Sequence, residues 1–264
     1  MDKDSALFPL IPASTFRAAR ALYGRGNLYL RLGDRLNHLV SKLDPGITSL
    51  YWNDDKTGLL TLLTVIQYVE KLTDEQMAES IQRRMELRYA LHLNTPSPRL
   101  DPRSLCAFRM KAISDPQYRS LFKEMFKQIY PEITSTAMKE EPNINDVIHS
   151  ICQNEVHATL VEAMLCSMEA LSATHFHWLR QIALPHWYQR YSRSIISLDA
   201  SFRKQEFTRE DIQGDIQHLL YEIRRSNLPE IIEMPETKRL NRIWEQLTDA
   251  QSLEDCKHCI HAIH

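Results

Sequence analysis

Six consecutive residues, Leu72-Thr73-Asp74-Glu75-Gln76-Met77, constrain the architecture of this chain more than any other stretch. The Thr73 hydroxyl is placed to accept from the Gln76 N–H, and the Gln76 side chain can return to the Thr73 N–H, a capping box. Leu72 and Met77 stand at the two positions of a hydrophobic staple. Upstream, Lys56 to Lys71 holds Leu59, Leu60, Leu62, Leu63, Val65, Ile66 and Val69. A helix apolar on nearly all sides belongs in the middle of a domain. Downstream, Met77, Ala78, Ile81 and Met85 recur at helical spacing, with Glu79, Gln82 and Arg83 on the water side. One buried helix therefore ends in a tight turn and an amphipathic helix begins at once, the front half of a helix-turn-helix.

The rest of the chain repeats the helical theme. Only 6 of the 264 residues are glycine, which disfavours the many tight turns of an all-β fold. Phe16 to Leu43 reads as helix broken at Gly24-Arg25-Gly26, and Asp44-Pro45-Gly46 ends it. Glu86 to Leu93 continues helical, and Asn94 to Pro102, with Pro96 and Pro98, is a loop. Asp101 caps and Pro102 opens a helix over Arg103 to Ile113. Further helices are expected over Tyr118–Tyr130, Asp146–Ala183 (one or two, ended by Pro185), Thr208–Arg225 and from Pro235 through Leu247. Tyr191 to Phe202 is less regular. The expected fold class is all-α: a multi-helix bundle containing a helix-turn-helix-like unit, followed by a second helical segment. The expected domains are 1–130, with a core at about 56–113, a polar linker at 131–145, and a helical domain at 146–264.

Net charge is -2, so the average says nothing about partners. Between Ser80 and Gln128, however, ten basic residues face four acidic ones, an excess of six, which leaves -8 for the remainder. A basic stretch in an acidic protein is either an anion-binding surface or a solvated face. Cys106, Cys152 and Cys166 sit among apolar neighbours and read as core thiols. No signal peptide opens the chain, and the longest apolar run, Leu59 to Ile66, is too short to span a bilayer. The expectation is a cytoplasmic protein with reduced thiols and no membrane partner.

The order of features resembles the InsH-like N-terminal domain of bacterial insertion-sequence transposases. The likeness rests on L-L-T-V-I-Q-Y-V-E-K-L-T-D-E-Q-M-A from Leu62 to Ala78, L-R-Y-A-L-H-L from Leu87 to Leu93, and S-L-C-A-F-R from Ser104 to Arg109. It continues through Leu160–Ala173, through H-W-Y-Q-R-Y from His186 to Tyr191, and through I-Q-G-D-I-Q-H-L-L from Ile212 to Leu220. In that family an RNase-H-like sheet follows, whose two aspartates and a glutamate hold divalent metal for strand transfer. The sequence to His264 shows no strand-rich segment of that kind. The resemblance thus implies a non-catalytic, transposase-derived protein or split-frame subunit that binds duplex DNA, at terminal repeats or an operator-like site. The alternative is a transposase-derived protein–protein interaction or regulatory module. Expected partners are double-stranded DNA, a second copy of the chain, or a separate catalytic chain; no cofactor is expected.

The Arg103 helix is the expected DNA-reading element, since a helix fits the major groove. At 100° per residue, Leu105, Phe108 and Ala112 share one face, and Arg103, Ser104, Ala107 and Lys111 the other. Arg103, Ser104 and Lys111 would face DNA. Arg83, Arg84, Arg88, Arg99 and Arg109 would contact phosphates or brace the fold, Arg109 by pairing with Glu75 or Glu79. Cys256, Cys259, His261 and His264 have partial zinc-ligand spacing, but no second pair stands at a proper distance, which favours an unbound tail. Trp187, Tyr188 and Tyr191 either stack on exposed bases or pack between helices, with packing favoured.

Overall fold

Side chains of Asn27, Thr73, Asp101, Asp115 and Thr208 cap the starts of five helices, and left-handed residues at Lys71, Ser135 and Asn227 close three. The computed structural model describes residues 8–43, 56–97, 99–136, 143–191 and 208–248. The expected turn at Asp44-Pro45-Gly46, Pro98, residues 137–142 of the polar stretch, the region from 192 to 207 and the Cys256–His264 tail lie outside them. No strand occurs among the described residues, and the fold is all-α. None of the described helices is long and apolar enough to cross a membrane.

The chain forms two units, Met1–Asn154 and Glu155–His264. The first contains α1 (Ala13–Leu22), α2 (Leu28–Val40), α3 (Thr57–Glu70), α4 (Asp74–Arg83), α5 (Met85–Ala90), α6 (Pro102–Ser114) and α7 (Pro116–Thr134). The helix α8 (Ile144–Thr174) begins in this unit and continues into the second, where α9 (Phe176–Ile182), α10 (Trp187–Tyr191), α11 (Arg209–Ser226), α12 (Pro229–Ile232) and α13 (Pro235–Thr248) follow. The division falls inside α8, not in the polar stretch before it, and α7 runs on through Pro131 to Thr134 with Ile133 buried.

In the first unit α3 is the central rod. Leu62, Leu63, Val65 and Ile66 are fully buried, as the all-round apolar pattern requires, and α3 packs against α4, α6 and α7. Lys71 adopts the left-handed conformation (φ 55°) that ends α3. The capping box of α4 is present, with Gln76 N–H donating to Thr73 Oγ1 at 3.2 Å and Thr73 N–H to Gln76 Oε1 at 3.1 Å. Leu72 and Met77 are both buried beside it. On the other side, α2 packs on α5 at Gly33, where an added Cβ would lie 2.7 Å from Tyr89 Cδ1 and 2.8 Å from its carbonyl oxygen. Only glycine lets these two helices approach so closely.

The second unit has its own apolar core, including Leu160, Met164, Trp187, Ile216, Leu219 and Leu240. Thr208 caps α11 in a capping box with Asp211. The α10–α11 pairing is fixed by Asp215, buried, which accepts from Arg190 Nη1 at 2.7 Å and Tyr191 Oη at 2.8 Å and lies 3.0 Å from His186 Nε2. Trp187 and Tyr191 are packed into this core, whereas Tyr188 is exposed.

Candidate nucleic-acid interface

The candidate interface is built on α6, a helix fixed at its start and along its inner face. Asp101 caps it, its Oδ1 accepting from the Arg103 N–H at 3.0 Å, and Pro102 occupies the first turn. Leu105, Phe108 and Ala112 bury the inward face, with Cys106 beside them. Between them sits Arg109, only 2% exposed. Its Nη1 and Nη2 donate to Asp74 Oδ1 and Oδ2, both at 2.7 Å, a bidentate fork; Nη1 also reaches Gln67 Oε1 at 3.1 Å. Gln67 Nε2 closes the ring onto Asp74 Oδ1 at 2.6 Å. One buried guanidinium thus ties the end of α3, the start of α4 and the middle of α6 together. Burial alone would lower the Arg109 pKa, but the Asp74 carboxylate outweighs it and keeps the guanidinium charged.

Held by that inward face, α6 turns Arg103, Ala107 and Lys111 outward, all exposed, with Ser104 half-buried at the edge. Arg103 and Lys111 are two turns apart, about 12 Å along the axis. The Lys111 ammonium lies 5.4 Å from the centre of the Tyr118 ring at the start of α7.

The remaining candidate arginines divide. Arg84 is turned inward on carboxylates: it grips Glu70 with both terminal nitrogens, its Nε donates to Glu86 at 2.8 Å, and its guanidinium lies 5.3 Å from the Tyr29 ring centre. Tyr29 donates to the same Glu70. Burial, aided by a hydrogen bond to Glu86, pushes the Tyr23 phenol up to about 12. Arg88 caps the end of α4, donating to the carbonyls of Ile81 (2.8 Å) and Gln82. Arg83 is exposed and pairs with Glu79 at 2.5 Å within α4. Arg99 is exposed on the approach to α6. The structure therefore gathers Arg99, Arg103, Ser104 and Lys111 on or beside the outward face of α6, and places Arg84, Arg88 and Arg109 in bracing positions.

The brace differs from the expected one in its partner. Arg109 meets Asp74, not Glu75 or Glu79: Asp74 is buried at the first turn of α4, while Glu75 is exposed and Glu79 is engaged by Arg83. Asp74 and Gln67 are the residues that sequence reasoning missed. Their signal was faint, a carboxylate at the start of one helix and an amide near the end of the previous one. Cys106 and Cys152 are buried thiols and Cys166 is half-buried. Among the described residues no group of three or more His, Cys, Asp or Glu side chains is arranged to hold a metal ion.

Residues 56–111, from the residue before α3 to Lys111 of α6, match a family model described as Transposase domain (DUF772). The match covers 56 of 264 residues and supports a transposase-related protein. No curated protein and no solved structure matches the chain.

Proposed function

We propose that this transposase-related chain carries a DNA-binding module that grips duplex DNA through α6. One observation carries the reading. Within the segment that matches the transposase domain, α6 is locked from behind by Arg109–Asp74 and presents Arg103 and Lys111 two turns apart on its open face. A rigid helix with cations on one side suits the major groove, where Arg and Lys reach guanine edges and phosphates. Arg99, exposed on the approach to α6, extends the positive surface. A role of this kind belongs in the cytoplasm, with the chain acting as a monomer or as a dimer on paired half-sites.

The test is fluorescence anisotropy with a labelled duplex of about 30 base pairs across a salt series. Neutralising Z phosphates gives a slope of about -0.9Z in log K against log salt. The expected result is salt-sensitive binding that R103E/K111E weakens at least tenfold, with the helical circular dichroism unchanged. Salt-independent or absent binding of the wild type at low salt, together with a dimer or partner complex by light scattering, would favour the interaction-module alternative and refute this reading.

A further inference from the structure

The α6 face does not end at Ser114. Beyond the sharp Asp115 corner, α7 buries Leu121, Phe122, Met125, Phe126, Ile129 and Ile133 on one side. Its exposed side carries Arg119, Lys123 and Lys127. These three are spaced by four residues each, so they form a row with a rise of about 6 Å per step. The row is joined to α6 at its head. Arg119 donates to the carbonyl of Ile113 in the last turn of α6, and Lys111 of α6 stacks over Tyr118, the residue before Arg119. Two acidic residues lie on the same helix: half-buried Glu124, and Glu132, which is paired with Arg35 at 2.7 Å.

We propose that Arg119, Lys123 and Lys127 form a phosphate-binding row on α7 that follows one strand of duplex DNA while α6 occupies the adjacent groove. The proposal rests on the α6 reading and extends it past residue 111, where the transposase-domain match ends. From Arg119 to Lys127 the row spans about 12 Å, and a strand advances about 3.4 Å per nucleotide along the duplex axis, so three or four successive phosphates fall within its reach. Phosphate contacts of this kind fix the orientation of a groove-reading helix and carry no sequence information themselves.

The experiment uses the full chain, a 30-base-pair duplex of mixed sequence and a salt series. Removing one cation that neutralises a phosphate should flatten the slope by about 0.9. R119Q/K123Q/K127Q is expected to reduce its magnitude by about 2 to 3, and K123Q/K127Q, which spares the Arg119 bond to α6, by about 2. The charge-conserving K123R/K127R should keep the wild-type slope. The weakening should be uniform across duplex sequences. If K123Q/K127Q keeps the full slope while R103Q/K111Q flattens it, the row is an ordinary solvated face and this inference falls, with the α6 reading intact. If the wild-type protein shows no salt-sensitive affinity for duplex, both fall together.

Discussion

Removing Asp74 should damage the first unit more than removing its partner as well. The Arg109 guanidinium is 2% exposed, and both of its terminal nitrogens are satisfied by Asp74 at 2.7 Å. In Asp74→Ala the charge stays inside with only Gln67 Oε1, at 3.1 Å, to compensate it. Breaking a buried pair from one side costs about 3–5 kcal/mol. The first unit spans 154 residues, Met1 to Asn154. At about 2–4 °C per kcal/mol for that size, the expected drop in Tm is about 6–20 °C. Lost interaction of Asp74 with the α4 dipole would account for only about 0.3–1 kcal/mol of this. In D74L/R109M the charge and its partner leave together, and apolar side chains fill the space. Gln67 then loses its partners at a cost of about 1–3 kcal/mol, so this variant should melt below wild type but above D74A. Differential scanning calorimetry of the three proteins decides the matter. A D74A loss under about 1 kcal/mol, or a D74L/R109M melt at or below that of D74A, would refute the claim that an uncompensated buried charge dominates.

Other perturbations probe separate links. Gly33→Ala forces a methyl to within 2.8 Å of the Tyr89 backbone carbonyl, which cannot swing aside; a loss of about 1–3 kcal/mol in denaturant melts is expected, and an unchanged midpoint would contradict the close approach of α2 and α5. Thr73→Ala removes the cap that starts α4 and should lower stability by about 1 kcal/mol, with Thr73→Ser recovering most of it. His157 is held below its ordinary value of 6.5, first by burial and then by Arg209. The folded state therefore favours the neutral ring, so this contribution is whole above about pH 6.5 and is lost as pH falls toward the lower folded value; a His157→Gln variant should remove that segment of the stability–pH curve. Burial alone would raise the Asp215 carboxyl, but His186, Arg190 and Tyr191 beside it hold it below its ordinary 3.8. Its contribution is present above that pH and fades as pH drops through the folded value, and Asp215→Asn should blunt the acid transition of the second unit.

The local rules were legible and the long-range ones were not. Thr73-Asp74-Glu75-Gln76 announces a helix start because every atom of a capping box lies within four residues, and Asp101-Pro102 announces α6 for the same reason. The apolar girdle of α3 shows that it is central without showing which helices surround it. By contrast, the fate of Arg84 depends on Tyr29, fifty-five residues earlier, and on Glu70 across a turn. Gly33 looks like a weak point in a leucine-rich helix until Tyr89 is seen pressed against it. Ser104 lies on the outer face by a rigid 100° count, yet it is half-buried, next to buried Leu105 at the edge of the inward face. The division between units inside α8 left no compositional mark, since a continuous helix needs no proline or glycine at a boundary.

The positive excess between Ser80 and Gln128 therefore mixes two kinds of cation that a sequence count cannot separate. An arginine fork matches a carboxylate or a pair of carbonyls in its plane, so arginines near helix junctions are drawn inward as cross-links. Arg84, Arg88 and Arg109 each sit at such a junction, and each bonds to a neighbouring element. The cations on the outward rows of α6 and α7 are different: Arg103 and Lys111 on one, Arg119, Lys123 and Lys127 on the other are exposed. Internal cross-links are strengthened by exclusion from water, while exposed cations are screened by salt within about 10 Å at 0.1 M. Stability of the first unit should thus follow the inward set and be nearly indifferent to salt, whereas anion affinity should follow the outward set and fall steeply with it. The two sets differ in burial: Arg84, Arg88 and Arg109 are buried or half-buried at helix junctions, while the outward rows stay open to water even where Arg119 reaches back to the Ile113 carbonyl.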